Sequence, residues 1–317
     1  MVAPRIVVHG GVGSPLSLCD GTDAAAEAAW AVLQQGGSAV DAVVAACVVL
    51  EDDPRFNAGT GSRLRIDGSL QMDAGVMDSN GTIGSVVGIE GVANPIRVAK
   101  EVMALPHVIL CGDGATRFAH TRGIDKPAAV TPLSRERLAE TRKRWKAGTY
   151  PPWAKWKGYP AGLDTIGAVA LDRNGLLAAG NSTGGTDFML RGRVGDCALP
   201  GLGMFAGPAA ALAATGVGEE IITRVLCYRA YALITGDVDR LDKPAGAFGP
   251  QQAIDHALSW CAPAVPVGLI ALTHTSSAVA ATDPMACSAI DENGRTDGAT
   301  LLSRSSRAPP RGPSDNP

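Results

Sequence analysis

Residues 38–54, SAVDAVVAACVVLEDDP, constrain this chain more than any other stretch. A serine suited to capping leads into a helical run that is apolar on nearly every side, and a helix without a polar face must be covered all round. An interior helix held between layers is expected. The preceding DGTDAAAEAAWAVLQQGG (20–37) is helical by propensity, with Thr22 or Asp23 expected as its cap and Gly36-Gly37 as its end. Glycine supplies 39 of 317 residues and aromatics only 4%, a composition of many turns and closely approaching backbones.

Strand signals fill much of the rest. RIVVHGGVGS is a short buried strand stopping at Gly10-Gly11, and His9 within it is read as structural. Residues 57–91 carry DG and NG hairpin signals, and DTIGAVALDRNGLLAAGNSTGG (164–185) reads as two strands across an RNG turn. NPIRVAKEVMAL is a short helix, HVILCGDGATRFA a strand, turn and helix, and GPQQAIDHALSWCA another helix. Residues 120–162, rich in Lys, Arg, Pro and Trp, are expected as an exposed linker with some helix. In TGVGEEIITRVLCYRAYALITG a glycine turn feeds a helix, VPVGLIALTH and SSAVAATD are strands, and a tail from about 304 to 317 is expected to be disordered. Strands and helices are grouped rather than alternating, which disfavours a doubly wound parallel sheet and favours packed layers.

Charge and cysteines exclude several partners. Lys+Arg 28 against Asp+Glu 31, a net charge of −3, leaves no basic field for nucleic acid. The seven cysteines are odd in number, scattered and without a CxxC, so neither a disulfide framework nor a zinc site is indicated. No run reaches the roughly 20 apolar residues of a membrane span, and the N-terminal apolar run is too short for a signal core. A cytoplasmic protein is the expectation. CGDGATRFA lacks the GK[ST] ending of a phosphate loop.

The chemistry concentrates in 163–196. Inside a chain, the Thr165 hydroxyl has no dependable base. At a new N-terminus it would have one, because an α-amine titrates at about 7.7–8.0 and can take the proton of its own residue's hydroxyl. That requires the Asp164-Thr165 bond to break, by attack of Thr165 Oγ on the preceding carbonyl and hydrolysis of the resulting ester. The linker ending at Asp164 has the composition of a segment that leaves after such a cut. A lone DT is an ordinary strand pair; the ordered set NSTGG, GRVGD and ATGVGEE behind it is specific.

With VVHGGVG, FNAGTGS and MDAGVMD before it, that set makes the chain resemble the threonine-type N-terminal nucleophile hydrolases of the isoaspartyl peptidase/plant-type asparaginase group, which includes glycosylasparaginase. The resemblance spans most of the first two thirds of the chain and part of the last. It implies an α+β, four-layer αββα sandwich over residues 1–317, self-cleaved into an α chain, 1–164, and a β chain, 165–317. It implies Thr165 as nucleophile, Thr183 hydrogen-bonded to it, and the Thr215 hydroxyl and Gly216 N–H as oxyanion donors, worth about 3 kcal/mol each. Arg193 and Asp196, with Val194 and Gly195 between them and Val217 and Gly218 opposite, are implied as the substrate clamp, a guanidinium for an α-carboxylate and a carboxylate for an α-ammonium. Gly10, Gly11 and Asn57 lie in matching motifs.

L-asparagine and β-aspartyl dipeptides are the implied substrates, with no catalytic cofactor, no catalytic metal and a dimer of αβ units. LEDDPRFNAGTG resembles the loop that wraps a structural sodium with backbone carbonyls, while an Asp-Pro turn explains it equally. Leu163 and Met189 depart from the pattern, standing where many relatives have His and Lys. Phe188 and DTIG lean toward glycosylasparaginase, and an uncleaved amino-acid-binding homologue is the reading from another class.

Overall fold

Three separate apolar layers organise the chain, described here from a computed structural model that covers residues 2–148, 165–236, 247–263 and 265–306. Among these residues the strands are β1 (Arg5–Val12), β2 (Met72–Asp78), β3 (Ile83–Ile89), β4 (Ile109–Cys111), β5 (Ile166–Leu171), β6 (Leu177–Thr183), β7 (Met204–Ala206), β8 (Ala210–Gly216), β9 (Val267–Thr273), β10 (Ser277–Ala281), β11 (Met285–Asp291) and β12 (Gly294–Asp297). Eight form one sheet in the order β12-β11-β1-β5-β6-β2-β3-β4, and four form a second in the order β10-β9-β8-β7.

The helices are α1 (Cys19–Gln34), α2 (Ala39–Asp52), α3 (Pro95–Val102), α4 (Gly112–Thr121), α5 (Pro132–Lys146), α6 (Gly218–Arg224), α7 (Leu226–Thr235), α8 (Pro250–Leu258) and α9 (Gly298–Leu302). Alternation along each strand assigns the layers. Ile6, Val8, Ala168 and Ala170 pack against α1 and α2. Val7, Val169 and Leu171 turn the other way, onto Ala211, Ala213, Ile270 and Leu272 of the second sheet. The far face of that sheet, Leu212, Ala214, Leu269 and Ala271, packs on α7 and α8. The order is helices, sheet, sheet, helices: the expected αββα sandwich.

The all-apolar helix over 39–52 sits where its surface demands. Ser38 caps α2 by accepting from Asp41 N–H at 3.1 Å, and the helix is buried between α1 and the large sheet. Other expectations are corrected. Neither Thr22 nor Asp23 caps α1, which begins three residues before Thr22; the Thr22 hydroxyl bonds the Cys19 carbonyl and Ser288 on β11, and Asp23 accepts from Ser288 as well. Tertiary partners outbid the local capping signal. The described part of the 120–162 stretch agrees with an exposed linker with some helix: it holds a mostly exposed fifteen-residue helix, α5, capped by Thr131 and fastened to the Ile66 carbonyl by Arg142 and to the Ser62 carbonyl by Ser134. Residues 304–306, expected to open a disordered tail, form a turn in which Ser305 and Ser306 bond Asp255. The rest of that tail, like Asp164 and Leu163, lies outside the described residues.

The helix expected after TGVGE is broken in two. Val225, between α6 and α7, has φ 52° and ψ 48° and is 40% exposed. A β-branched residue in this left-handed region carries strain of about 1–2 kcal/mol, and asparagine tolerates it far better. Val225→Asn should therefore stabilise the fold by about 1 kcal/mol, raising the thermal midpoint by about 2–4 °C; calorimetry showing a lower midpoint would mean that the valine's contacts outweigh its backbone strain.

Candidate active site

Strand register builds the site. Ile166 pairs with Ser182 across the β5–β6 hairpin, which sets Thr165 beside Thr183, and Asp73 on β2 pairs with Thr183 on its other side. By parity these side chains share the face of the large sheet that looks onto the second sheet, where Thr215 is the penultimate residue of β8. The Thr165 hydroxyl donates to Thr183 Oγ1 at 3.3 Å, and Thr183 Oγ1 also accepts from Gly185 N–H at 2.9 Å. Thr215 is fully buried and its hydroxyl accepts from Val12 N–H at 3.3 Å, which leaves its proton free to be donated.

One small cavity brings the expected residues together: Thr165, Thr183, Gly185, Thr186, Arg193, Gly195, Asp196 and Gly216 line it. Thr215, Val194, Val217 and Gly218 belong to the segments that carry these walls. Gly218 is required by space, since a side-chain carbon there would lie 2.8 Å from both Arg193 Nη2 and Asp196 Oδ1. Asn57 fastens the Thr183 turn, its amide donating to the Gly185 carbonyl while its carbonyl oxygen accepts from Arg63 N–H. A wider, open groove beside Phe248, His256 and Arg304 lies elsewhere; its acid, Asp255, is bonded to Gln251, Ser305 and Ser306.

Electrostatics favour an amino-acid head group. Arg193 is engaged two-fold by Glu219, Nε to Oε1 at 3.0 Å and Nη2 to Oε2 at 2.8 Å. Burial works against its charge, but the Glu219 hydrogen bonds and the charges of Glu219 and Asp196 outweigh that, so its pKa is raised. Asp196 is pushed up to about 7 by burial, with Arg193 opposing, and its Oδ2 has no hydrogen-bond partner. A buried acceptor without a donor is a place for a ligand's cation.

Glu219 was missed by sequence reasoning, although it stands in GEE directly after the TGVG loop. Arg65 was missed as well. It is fully buried, with Nη1 against Met189 Sδ at 2.9 Å and Nη2 to the Gln71 carbonyl at 3.4 Å. Where the pattern expects a lysine, this chain thus packs a methionine onto a buried guanidinium from the segment before β2. Gln71 in turn accepts from Gly192 N–H at 2.8 Å, holding the loop that carries Arg193.

A family model described as Asparaginase matches residues 2–297. The chain is 37% identical over 259 residues to the isoaspartyl peptidase/L-asparaginase of Nostoc sp., covering 78% of this chain and 81% of that protein. It is 41% identical to the plant-type L-asparaginase of Pyrococcus horikoshii, covering 70% and 76%. Against the isoaspartyl peptidase/L-asparaginase of Bos taurus the identity is 43%, covering 69% and 73%.

The raised acid has a stability consequence. An unfolded aspartate titrates near 3.9 and Asp196 near 7, so between those values the folded state holds the extra proton. Stability contributed by this group therefore falls as pH rises from about 4 to about 7 and is level above. Denaturant midpoints of wild type, measured against Asp196→Asn, should converge downward across that window; parallel curves would place the carboxyl in water.

Proposed function

The chain belongs to the asparaginase family, and from that premise we propose that it hydrolyses the β-amide of L-asparagine and of β-aspartyl dipeptides, using Thr165 as an N-terminal nucleophile freed by self-cleavage after Asp164. The observation that carries the reading is the Thr165 hydroxyl, hydrogen-bonded to Thr183 at 3.3 Å inside a cavity whose other wall is Arg193 and Asp196.

In maturation, Thr165 Oγ attacks the Asp164 carbonyl carbon, the acyl group moves from nitrogen to oxygen, and water opens the ester. The products are the Asp164 carboxylate and a free Thr165 amine. In turnover the amine, titrating at about 7.7–8.0 in its neutral-to-charged transition, takes the hydroxyl proton as Oγ adds to the β-carbonyl. Thr183 holds Oγ in line. The tetrahedral oxyanion is met by the Thr215 hydroxyl and Gly216 N–H. Ammonia or the amine of the leaving amino acid departs with the proton, and water hydrolyses the aspartyl ester.

Arg193 and Asp196 bind the α-carboxylate and α-ammonium. Glu219, already paired two-fold with Arg193, keeps the guanidinium plane fixed before substrate arrives. Ionised Asp196 is the form that binds the ammonium, and an incoming cation lowers its pKa.

Thr165→Ala should give one full-length band on a denaturing gel in place of two near-half-size bands and release no ammonia from asparagine. Persistence of either activity would exclude the nucleophile. Kinetics on L-asparagine, β-Asp-Leu and GlcNAc-Asn then rank substrates: preference for GlcNAc-Asn would make the chain a glycosylasparaginase, and an intact, inactive wild type would make it a binding homologue.

The 50–60 loop suits a structural sodium. A side-chain carbon on Gly59 would lie 2.3 Å from the Glu51 carbonyl oxygen, and one on Gly61 1.9 Å from that of Phe56 and 2.7 Å from that of Pro54. Such neutral carbonyls are hard oxygen donors, and no step of the reaction passes through them. Replacing sodium with choline should lower the thermal midpoint; indifference removes the ion from the proposal. The dimer of αβ units and the cytoplasmic location belong to the same reading. All seven cysteines are free, and no helix among the described residues is long and apolar enough to cross a membrane.

A further inference from the structure

The turn that delivers Arg193 to the pocket has little apolar anchorage of its own. The Leu190 carbonyl accepts from Arg193 N–H at 3.1 Å, closing a turn with Arg191 and Gly192 at its centre, and Leu190, Arg191 and Gly192 are all exposed. Gly192 has φ 85°, the left-handed conformation that the third residue of such a turn adopts without steric cost when it is glycine. A solvent-facing turn of this kind opens readily unless hydrogen bonds hold its central residues. Here one pair of side chains holds both. Gly192 N–H donates to Gln71 Oε1 at 2.8 Å, Arg191 Nη2 donates to Glu90 Oε1, and Gln71 Nε2 donates to that same Glu90 oxygen at 2.9 Å.

Strand register brings the pair together. Met72 on β2 pairs with Ile89 on β3, so the residues one step beyond, Gln71 and Glu90, stand opposite each other where the strands end. Gln71 is buried and Glu90 partly buried. The Gln71 amide can lie only one way, because a backbone N–H must meet its oxygen and a carboxylate must meet its NH2. Turned over, it would set donor against donor at Gly192 and acceptor against acceptor at Glu90. Neither side chain is among those that line the cavity, and an exposed ion pair such as Arg191 with Glu90 is worth little alone. What the buried amide adds is a fixed peptide one residue before Arg193.

We propose that Gln71 is a positioning residue for Arg193: oriented by Glu90, its amide fixes the Leu190–Arg193 turn at Gly192 and so sets where the guanidinium stands for the α-carboxylate of an aspartyl substrate. The proposal rests on the reading of Arg193 and Asp196 as the head-group clamp. Gln71 touches no substrate and acts through the Gly192 peptide. Losing hydrogen bonds of this kind lowers head-group affinity by about 5- to 10-fold, while Thr165 and Thr183, held by the pairing of β5 with β6, keep their geometry. Binding suffers and the chemical step does not.

The test uses the full chain and two readouts: KM and kcat on asparagine per processed site, and the Kd of L-aspartate by calorimetry, which reads the clamp whether or not Thr165 is the nucleophile. Gln71→Leu removes both bonds. Gln71→Glu keeps the acceptor for Gly192 but sets a carboxylate against Glu90, and Gln71→Glu combined with Glu90→Gln exchanges the two roles and restores both bonds. In Gln71→Leu, KM and Kd should each rise about 5- to 10-fold with kcat within about twofold. Gln71→Glu should weaken aspartate binding by at least about threefold, and the exchanged pair should return Kd to within about twofold of wild type. A wild-type Kd in a folded Gln71→Leu, a kcat loss larger than the rise in Kd, or an exchanged pair no tighter than Gln71→Glu would overturn the proposal. If the leucine variant does not fold, the glutamate variant and the exchanged pair decide by the same limits. Arg193→Ala run alongside separates the two readings. Aspartate binding that survives there breaks the clamp assignment, whereas binding lost in Arg193→Ala but unchanged in Gln71→Leu breaks only the role of Gln71.

Discussion

Everything at the candidate site depends on the register of the β5–β6 hairpin. Pairing of Ile166 with Ser182 and of Leu171 with Leu177 puts Thr165 and Thr183 on the face turned toward the second sheet. A slip of β6 by one residue would send the Thr183 hydroxyl to the helix side and bring Ser182 inward. The turn is pinned from within and without: Asp172 Oδ1 accepts from the N–H groups of Asn174 and Leu176, and Oδ2 accepts from Ala39 N–H at the start of α2. The helix that must be buried and the hairpin that must not slip are thus tied at one carboxylate.

On the opposite face of β6, Ser182 donates to Glu51 at the end of α2 at 2.6 Å. Burial lifts Glu51 to about 8, against the hydrogen bonds from Ser182 and Ile96. A mostly neutral acid there anchors helix to sheet without placing a charge on the strand that carries Thr183. The same economy of charge recurs around the pocket. Asp73 is raised by burial, with the Gly88 N–H bond and Arg65 opposing, and Arg193 is neutralised in advance by Glu219.

Small side chains make the double-sheet interior possible. Ala, Gly and Val dominate β5, β6 and β8, so the sheets approach closely and polar residues at one end can reach across strands, as His9 and Asn181 do over Gly167. The sequence shows the abundance of glycine but not its purpose, because which glycine lies beneath which side chain is a matter of register between segments more than a hundred residues apart.

The grouping of the candidate residues was legible in local motifs: Thr165, Thr183, Arg193, Asp196 and Gly216 stand in DTIG, NSTGG, GRVGD and TGVG, and all five line one cavity. The layers were legible as well, because an all-apolar helix and grouped strands leave few ways to hide their surfaces. What the sequence could not determine were partnerships with no local signature. Thr22 bonds β11 rather than capping its helix, Val225 breaks a helical pattern that periodicity would continue, and Glu219, Arg65 and His9 acquire their surroundings only when distant strands pair. Motifs report what a residue can do. Its neighbours, and with them its charge, its orientation and its freedom to react, are set by the tertiary structure, because burial and hydrogen-bond geometry belong to the packed whole.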